Sequence, residues 1–351
     1  MHEIITDMLF SRHKLDKLGQ ALIGTDPFLR NKALPEIQAW RENHFYVLQE
    51  LNKQLLTFFE ENSISYEVSS MRIKRMTSIE AKLRNNASKN TKLGGLQDIG
   101  GIRFVFSNIE KLDKTVSLLD SFVPESFDFI RSRNYIDRPK DSGYRSVHYV
   151  YKYKSQDEIY NGISIELQVR TKLQHTWAMA VETASLISQT TLKADIDDNS
   201  EWRGFFKLVS ALFAKQEGKP IHGDFADYDK TRFCTEFFHY EESKLVDQLK
   251  ALRVTVNMDY DKVKSGFCVL TIDFIKKVVH AHTFSNEQEK EASELFSQIE
   301  RTINKDEAAL MVAIENMREI KEAYPSYFLD TQDFLIFLDT FENDCRLLLK
   351  H

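Results

Sequence analysis

The chain is poor in the residues that build cross-linked or irregular architectures. It has 6 Pro and 12 Gly in 351 residues, which excludes collagen-like and Pro-rich designs. Its 3 cysteines, Cys234, Cys268 and Cys345, form no CxxC. They leave one thiol over, so neither a disulfide framework nor a cysteine-based zinc site is expected. No apolar run approaches the roughly 18 residues of a membrane-spanning helix. The start, MHEIITDMLF, lacks a basic stretch followed by an apolar one. A soluble protein of a reducing compartment is expected, cytoplasmic and without membrane contact. Motifs are missing as well. There is no GxxxxGK[ST], no GxGxxG and no HExxH, so any phosphate handling must rest on side chains rather than a glycine cradle. An excess of positive charge is also lacking. Lys and Arg number 47 against 53 Asp and Glu, a formal charge of −6, which does not point to duplex nucleic acid but leaves room for a local basic patch.

What remains is ordinary globular composition. Apolar residues make up 42% and charged residues 28%, which excludes whole-chain disorder. The length exceeds one ordinary core and suggests two domains with a helical extension. Three segments are expected: an N-terminal helical segment over 1–60, a central domain over 61–200 and a C-terminal α+β module over 201–351. In the first, Leu48, Leu51, Leu55 and Phe58 recur at helical spacing. In the second, Ile102–Phe106, Val147–Tyr153 and Ile163–Val169 read as strands, with helices at about 110–122 and 172–188 between and after them. The fold class is α+β with a mostly buried sheet. Beyond a polar linker at 190–200, helices are expected at 201–218, 230–252, 286–304 and 329–348. Strands are expected at 253–259, 267–274, 278–284 and 309–314.

Five segments carry chemistry. Met71–Lys92 holds Arg72, Lys74, Arg75, Lys82, Arg84, Lys89 and Lys92 with Glu80 as its one acid. On a helix, Lys74, Ser78 and Lys82 form one stripe. Clustered cations favour a polyphosphate, because Arg binds phosphate bidentately and Lys acts as a point charge; charge alone fits a solvated face equally well. Leu96–Phe106 sets Asp98 just ahead of a strand, where a turn residue and a Mg²⁺ ligand are both compatible readings. In Ile163–Thr171 the residues Glu166, Gln168 and Arg170 share one strand face, which suits a polar site floor or a solvent face. Tyr135–His148 is a Pro- and Gly-containing loop with Lys140, Tyr144, Arg145 and His148. Lys172–Ala184 is a helix with Trp177 on its apolar stripe and His175, Met179 and Glu182 on another.

Taken in order, these segments resemble the RelA/SpoT family of alarmone synthetase domains. The carriers are R-x-K-x-x-x-S-x-x-x-K (Arg72, Lys74, Ser78, Lys82), D-I-x-G-x-R (Asp98 to Arg103), Y-I-x-x-P-K-x-S-G-Y-x-S-x-H (Tyr135 to His148), E-x-Q-x-R-T (Glu166 to Thr171) and the H-x-W-A-x-x-x-E helix (His175 to Glu182). The resemblance covers roughly residues 60–190. It implies a nucleotidyltransferase-like mixed sheet flanked by helices. It also implies transfer of pyrophosphate from ATP to the 3′-hydroxyl of GDP or GTP, giving (p)ppGpp and AMP. By the resemblance, Arg72, Lys74, Ser78, Lys82 and Arg84 would hold ATP phosphates. Asp98 and Glu166 would be catalytic and hold Mg²⁺. Lys140, Tyr144, His148, Gln168, Arg170, His175 and Glu182 would surround the acceptor nucleotide, with Tyr144 stacked on the base.

The chain departs from the family in three ways. Relatives that hydrolyse (p)ppGpp carry an upstream His-Asp metal domain, and residues 1–60 have His2, His13 and His44 but no His-Asp pair. A synthetase of the small type, without the hydrolase half, is therefore expected. Arg131-Ser132-Arg133-Asn134 precedes Tyr135 where relatives often have an acid. The C-terminal module, including Ala323 to Phe328 and Asp330-Thr331, is assigned to no element of the family. Two other readings stand beside the first: a toxic relative that pyrophosphorylates the 3′ end of tRNA with the C-terminal module as inhibitor or sensor, and a catalytically dead nucleotide-sensing module. The acceptor, the role of 201–351, its regulation and homo-oligomer formation are open at the level of sequence.

Overall fold

The computed structural model describes residues 10–85, 91–191, 200–242, 266–273, 278–302, 307–314 and 332–349. The chain opens with two helices, α1 (Arg12–Ile23) and α2 (Pro27–Glu61). Asp26 caps α2 by accepting from the amides of Phe28 and Leu29, and Pro27 sits at the first turn where no amide is needed. Leu48, Leu51, Leu55 and Phe59 of α2 are fully buried against the sheet. Gly100 permits this approach: a Cβ there would come within 2.6 Å of Ile165 and 3.3 Å of Leu48. His44 is a core histidine. It lies 2.9 Å from the Trp40 carbonyl, and burial pulls its pKa down to about 4.

Eight strands make one mixed sheet in the order β3-β4-β5-β2-β1-β8-β6-β7. The strands are β1 (Val68–Ile73), β2 (Gly100–Phe106), β3 (Phe127–Asn134), β4 (Val147–Tyr153), β5 (Ser164–Thr171), β6 (Gly266–Asp273), β7 (Val278–Phe284) and β8 (Glu307–Ile314). Only β2 and β5 run parallel; the other neighbours are antiparallel. Helices α3 (Met76–Asn85), α4 (Ile109–Leu119), α5 (Lys172–Thr191), α6 (Ser200–Gln216), α7 (Lys230–Glu242), α8 (Glu289–Thr302) and α9 (Gln332–Leu349) complete the described elements. The α+β class and the mixed sheet flanked by helices are as expected.

Several local expectations need correction. Read as helical, the stripe of Lys74, Ser78 and Lys82 is only partly so: the segment starts as β1, which pairs with β2 over six positions, Lys74 follows that strand, and only Ser78 and Lys82 lie on α3. Arg72 thus stands on a strand, opposite Gly101. β3 was not legible, because seven of its eight residues are exposed at the sheet edge and carry no alternation. The C-terminal strands do not form a sheet of their own: β8 meets β1 at Arg72↔Val312 and continues the same sheet. Helices α6, α7 and α9 pack instead on α5, around Trp177, Phe205, Phe213, Phe237 and Phe334. The strand expected at 253–259 and the segment 323–330 lie outside the described residues.

The cysteine expectation also fails in part. Cys234 on α7 and Cys345 on α9 are joined in a disulfide across a sequence separation of 111 residues, and Cys268 is the free, buried thiol. Spacing along the chain says nothing about such a contact, which only helix packing creates.

Candidate active site

Register builds the floor of the site. Across the sheet, Arg103, Gln168, His148 and Arg133 stand opposite one another on β2, β5, β4 and β3. The next row on that face runs Arg72, Gly101, Glu166, Val150 and Arg131. Glycine at position 101 leaves open space beside Glu166. The opposite face of β5 carries Ile165, Leu167 and Val169, all fully buried. The polar row read from ISIELQVRT is therefore a site floor and not a solvent face.

These rows open into a cavity of about 450 Å³. Its lining includes Arg72, Lys82, Asp98, Lys140, Tyr144, His148, Glu166, Gln168, Arg170 and Glu182. All ten were singled out from sequence; they lie on three strands, two helices and the intervening loops. Lys74 touches the same group: its Nζ lies 3.0 Å from Asp98 Oδ2, and Lys82 Nζ lies 2.6 Å from the same oxygen. Burial alone would raise the Asp98 pKa, but the charges and hydrogen bonds of Lys74 and Lys82 outweigh it and hold the carboxyl at about 2. Burial lowers the pKa of Lys74, partly offset by Asp98.

Four expected residues are not part of the cavity wall: Lys74, which reaches it only through Asp98, and Arg84, Ser78 and His175. Arg84 turns outward to Glu80 and donates 2.9 Å to the Ile23 carbonyl, because α3 is held to α1 and α2 there. Arg30 on α2 completes that anchor through two bonds to Glu80 of 2.8 and 2.9 Å. Ser78 is half-buried on α3 outside the lining. His175 sits behind the floor, 2.5 Å from Arg170 Nη2, and orients that buried guanidinium. Burial and the neighbouring Arg103 push the Arg170 pKa well below its ordinary value.

On the other wall, Tyr144, His148 and Glu166 form a hydrogen-bonded chain. The Tyr144 hydroxyl lies 2.8 Å from His148 Nε2, and His148 Nδ1 lies 2.9 Å from Glu166 Oε1. Gln168 donates to the other Glu166 oxygen at 2.7 Å. Burial pushes the Glu166 pKa up, yet these bonds prevail and keep it below the usual carboxylate range. Lys140 Nζ stands 4.4 Å from the Tyr135 ring and 4.8 Å from the Tyr144 ring, within cation–π range. The turn before Tyr144 needs Gly143, whose φ is +85°.

The sequence reading missed Arg103, Arg131, Arg133 and Tyr135 as lining residues. Arg103 closes the D-I-x-G-x-R motif and could have been found by strand alternation, as the residue between the buried Ile102 and Phe104. Arg131 and Arg133 belong to the strand that was not legible. Together the wall carries seven Arg and Lys against three acids, a surplus suited to a polyanionic ligand.

Residues 71–187 match the region found in RelA/SpoT proteins. This segment is a RelA/SpoT domain. It is similar to the GTP pyrophosphokinase YjbM of Bacillus subtilis, at 29% identity over 121 residues, covering 34% of this chain and 56% of that protein. It is also similar to the GTP pyrophosphokinase rsh of Brucella melitensis, at 28% identity over 164 residues, 46% of this chain and 20% of that one. The chain thus spans little more than half of the first relative and a fifth of the second. Among solved structures, the Bacillus subtilis small alarmone synthetase 1 bound to its product pppGpp overlaps at TM-score 0.40 and 24% identity, covering 49% of this chain and 88% of that one.

The RelA/SpoT domain also has room for a divalent ion. Asp98 Oδ1 is buried and accepts no hydrogen bond. Among the described residues no group of three or more His, Cys, Asp or Glu could form a complete metal cage. The unpartnered Asp98 Oδ1, with Glu166 on the same lining, fits an ion such as Mg²⁺, which takes one or two carboxylates and completes its shell with water and phosphate oxygens.

Proposed function

We propose that the RelA/SpoT domain transfers the β,γ-pyrophosphate of ATP to the 3′-hydroxyl of GDP or GTP, releasing AMP and forming (p)ppGpp. The observation that carries this reading is one cavity wall with Arg72 and Lys82 beside Lys74 and Asp98, facing Glu166 and Tyr144 across the same space. The similarity to the Bacillus subtilis GTP pyrophosphokinase supports it.

In this reading Arg72, Lys74 and Lys82 bind the donor phosphates and neutralise charge that builds on their oxygens. Glu166, ionised and held by His148 and Gln168, accepts the proton of the 3′-hydroxyl. That oxygen bonds to the β-phosphorus while the bond from the β-phosphorus to the α,β-bridging oxygen breaks, and AMP leaves with that oxygen. Tyr144 and Tyr135, with Lys140 between them, stack the acceptor base. Arg103 and Arg170 face the acceptor phosphates. Asp98 and Glu166 would hold Mg²⁺, which supplies Lewis-acid stabilisation of the phosphoryl oxygens. Such substrates set the reaction in the cytoplasm, where Cys234 and Cys345 would meet a reducing thiol pool. Among the described residues no helix is long and apolar enough to cross a membrane.

One observation favours a second acceptor. Arg131 and Arg133 are exposed on β3 at the cavity mouth, where an RNA 3′ end would add phosphate contacts beyond those of a nucleotide. The deciding experiment incubates the full chain with Mg²⁺, γ-labelled ATP and GDP, GTP or bulk tRNA. Label is expected in ppGpp or pppGpp; label on tRNA alone, or none at all, defeats the first reading.

A further inference from the structure

Outside the cavity, the most unusual cluster of buried charge lies under the donor-side cations. Arg41 of α2 is 1% exposed. Its Nε donates 3.1 Å to the Lys74 carbonyl and its Nη1 pairs with Glu300 Oε2 at 2.7 Å. Its guanidinium also lies 5.7 Å from the Phe296 ring of α8. Glu300, near the end of α8, offers its second oxygen to the Met76 amide at 3.1 Å. That amide is the first of α3, one of the donors that a helix cannot satisfy from within. A carboxylate at this end also complements the helix dipole. The cap comes from a residue 224 positions away in sequence.

We propose that Glu300 is a positioning residue for the donor-phosphate cations, so that the C-terminal half of the chain completes the site from behind. This inference rests on the synthetase reading above. The buried Arg41–Glu300 pair clamps the backbone between the Lys74 carbonyl and the Met76 amide. Lys74 lies at one end of that clamp, and Lys82 lies further along α3, which the clamp starts. Both ammonium groups converge on Asp98 Oδ2, so a shift of the first turn of α3 moves both. α8 is itself fixed: Ala292 and Phe296 are buried in the main core, and Ser297 is tied to Gln38 of α2. Displacing the C-terminal strands would therefore act on ATP binding and leave the acceptor wall, built on β3 to β5, where it is.

The test uses the full chain and three variants. Glu300→Gln removes the charge that pairs with Arg41 and caps α3. Glu300→Asp keeps the charge but is one methylene short of Met76. Ser297→Ala removes one polar tie between the same helix and α2, while the buried Ala292 and Phe296 still hold α8 and Glu300 is untouched. Binding of α,β-methylene-ATP with Mg²⁺ is followed by calorimetry, and KM values for ATP and GDP by turnover. Glu300→Gln should weaken analogue binding and raise the ATP KM about fivefold, the equivalent of a lost helix cap, with the GDP KM within about twofold of wild type. Glu300→Asp should fall between, and Ser297→Ala should match wild type. Should Glu300→Gln prove unfolded by circular dichroism, the Glu300→Asp and Ser297→Ala pair decides. Unchanged analogue binding in the folded Glu300 variants, equal loss for both substrates, or the same defect in Ser297→Ala overturns the inference. A wild-type chain that binds no analogue overturns the synthetase reading along with it.

Discussion

Asp98→Asn is the most informative single change, because asparagine imitates the protonated carboxyl in shape while removing its charge. In the folded protein Asp98 titrates at about 2 against an ordinary 3.8. One pKa unit corresponds to about 1.4 kcal/mol, so ionised Asp98 contributes about 2 kcal/mol. Its side chain is 20% exposed, so solvent screening takes little from that figure. The folded value is depressed, so the contribution is present above the unfolded pKa and is lost as pH falls toward the folded one. Urea unfolding in EDTA should show wild type about 2 kcal/mol more stable than Asp98→Asn at pH 6, with the gap shrinking to roughly half near pH 3. Pyrophosphoryl transfer should fall by about a thousandfold, the scale of losing a preorganised charged group. A stability gap independent of pH, or a variant within about tenfold of wild-type turnover, would refute the argument that Lys74 and Lys82 are organised by this carboxylate.

Glu166→Gln should lower turnover by about a hundredfold or more, as expected for loss of a general base, with circular dichroism and melting temperature close to wild type. Tyr144→Ala should raise the GDP KM about tenfold, in line with the loss of one stacking contact, and leave the ATP KM nearly unchanged in the same initial-rate assay. Reduction of Cys234–Cys345 should cost about 2–4 kcal/mol in urea unfolding with and without dithiothreitol, and a Cys234→Ser variant should be indifferent to the reductant.

The legible part of the site was the part written in local patterns. Alternation along ISIELQVRT put Glu166, Gln168 and Arg170 on one face because side chains alternate in any strand. Asp98 stood out as an acid before a strand, and Tyr144 as an aromatic after a glycine. Arg84 misled because helical spacing gives a face but not its neighbours: Glu80 and the Ile23 carbonyl claim it. His175 was assigned a ligand role, yet its partner is Arg170. Arg131 and Arg133 were passed over because an exposed edge strand has no hydrophobic alternation to announce it.

The sequence by itself determined ten of the cavity's lining residues and the strands β2, β4 and β5 with the helix that follows, since these depend on neighbours within a few positions. The tertiary structure alone decided that the strands beyond residue 265 extend that same sheet, that Cys234 meets Cys345, and that Glu300 caps the helix bearing Lys82. Those contacts join residues more than a hundred positions apart, and no local period or spacing encodes them. They exist only once burial of the apolar faces has brought distant elements into register.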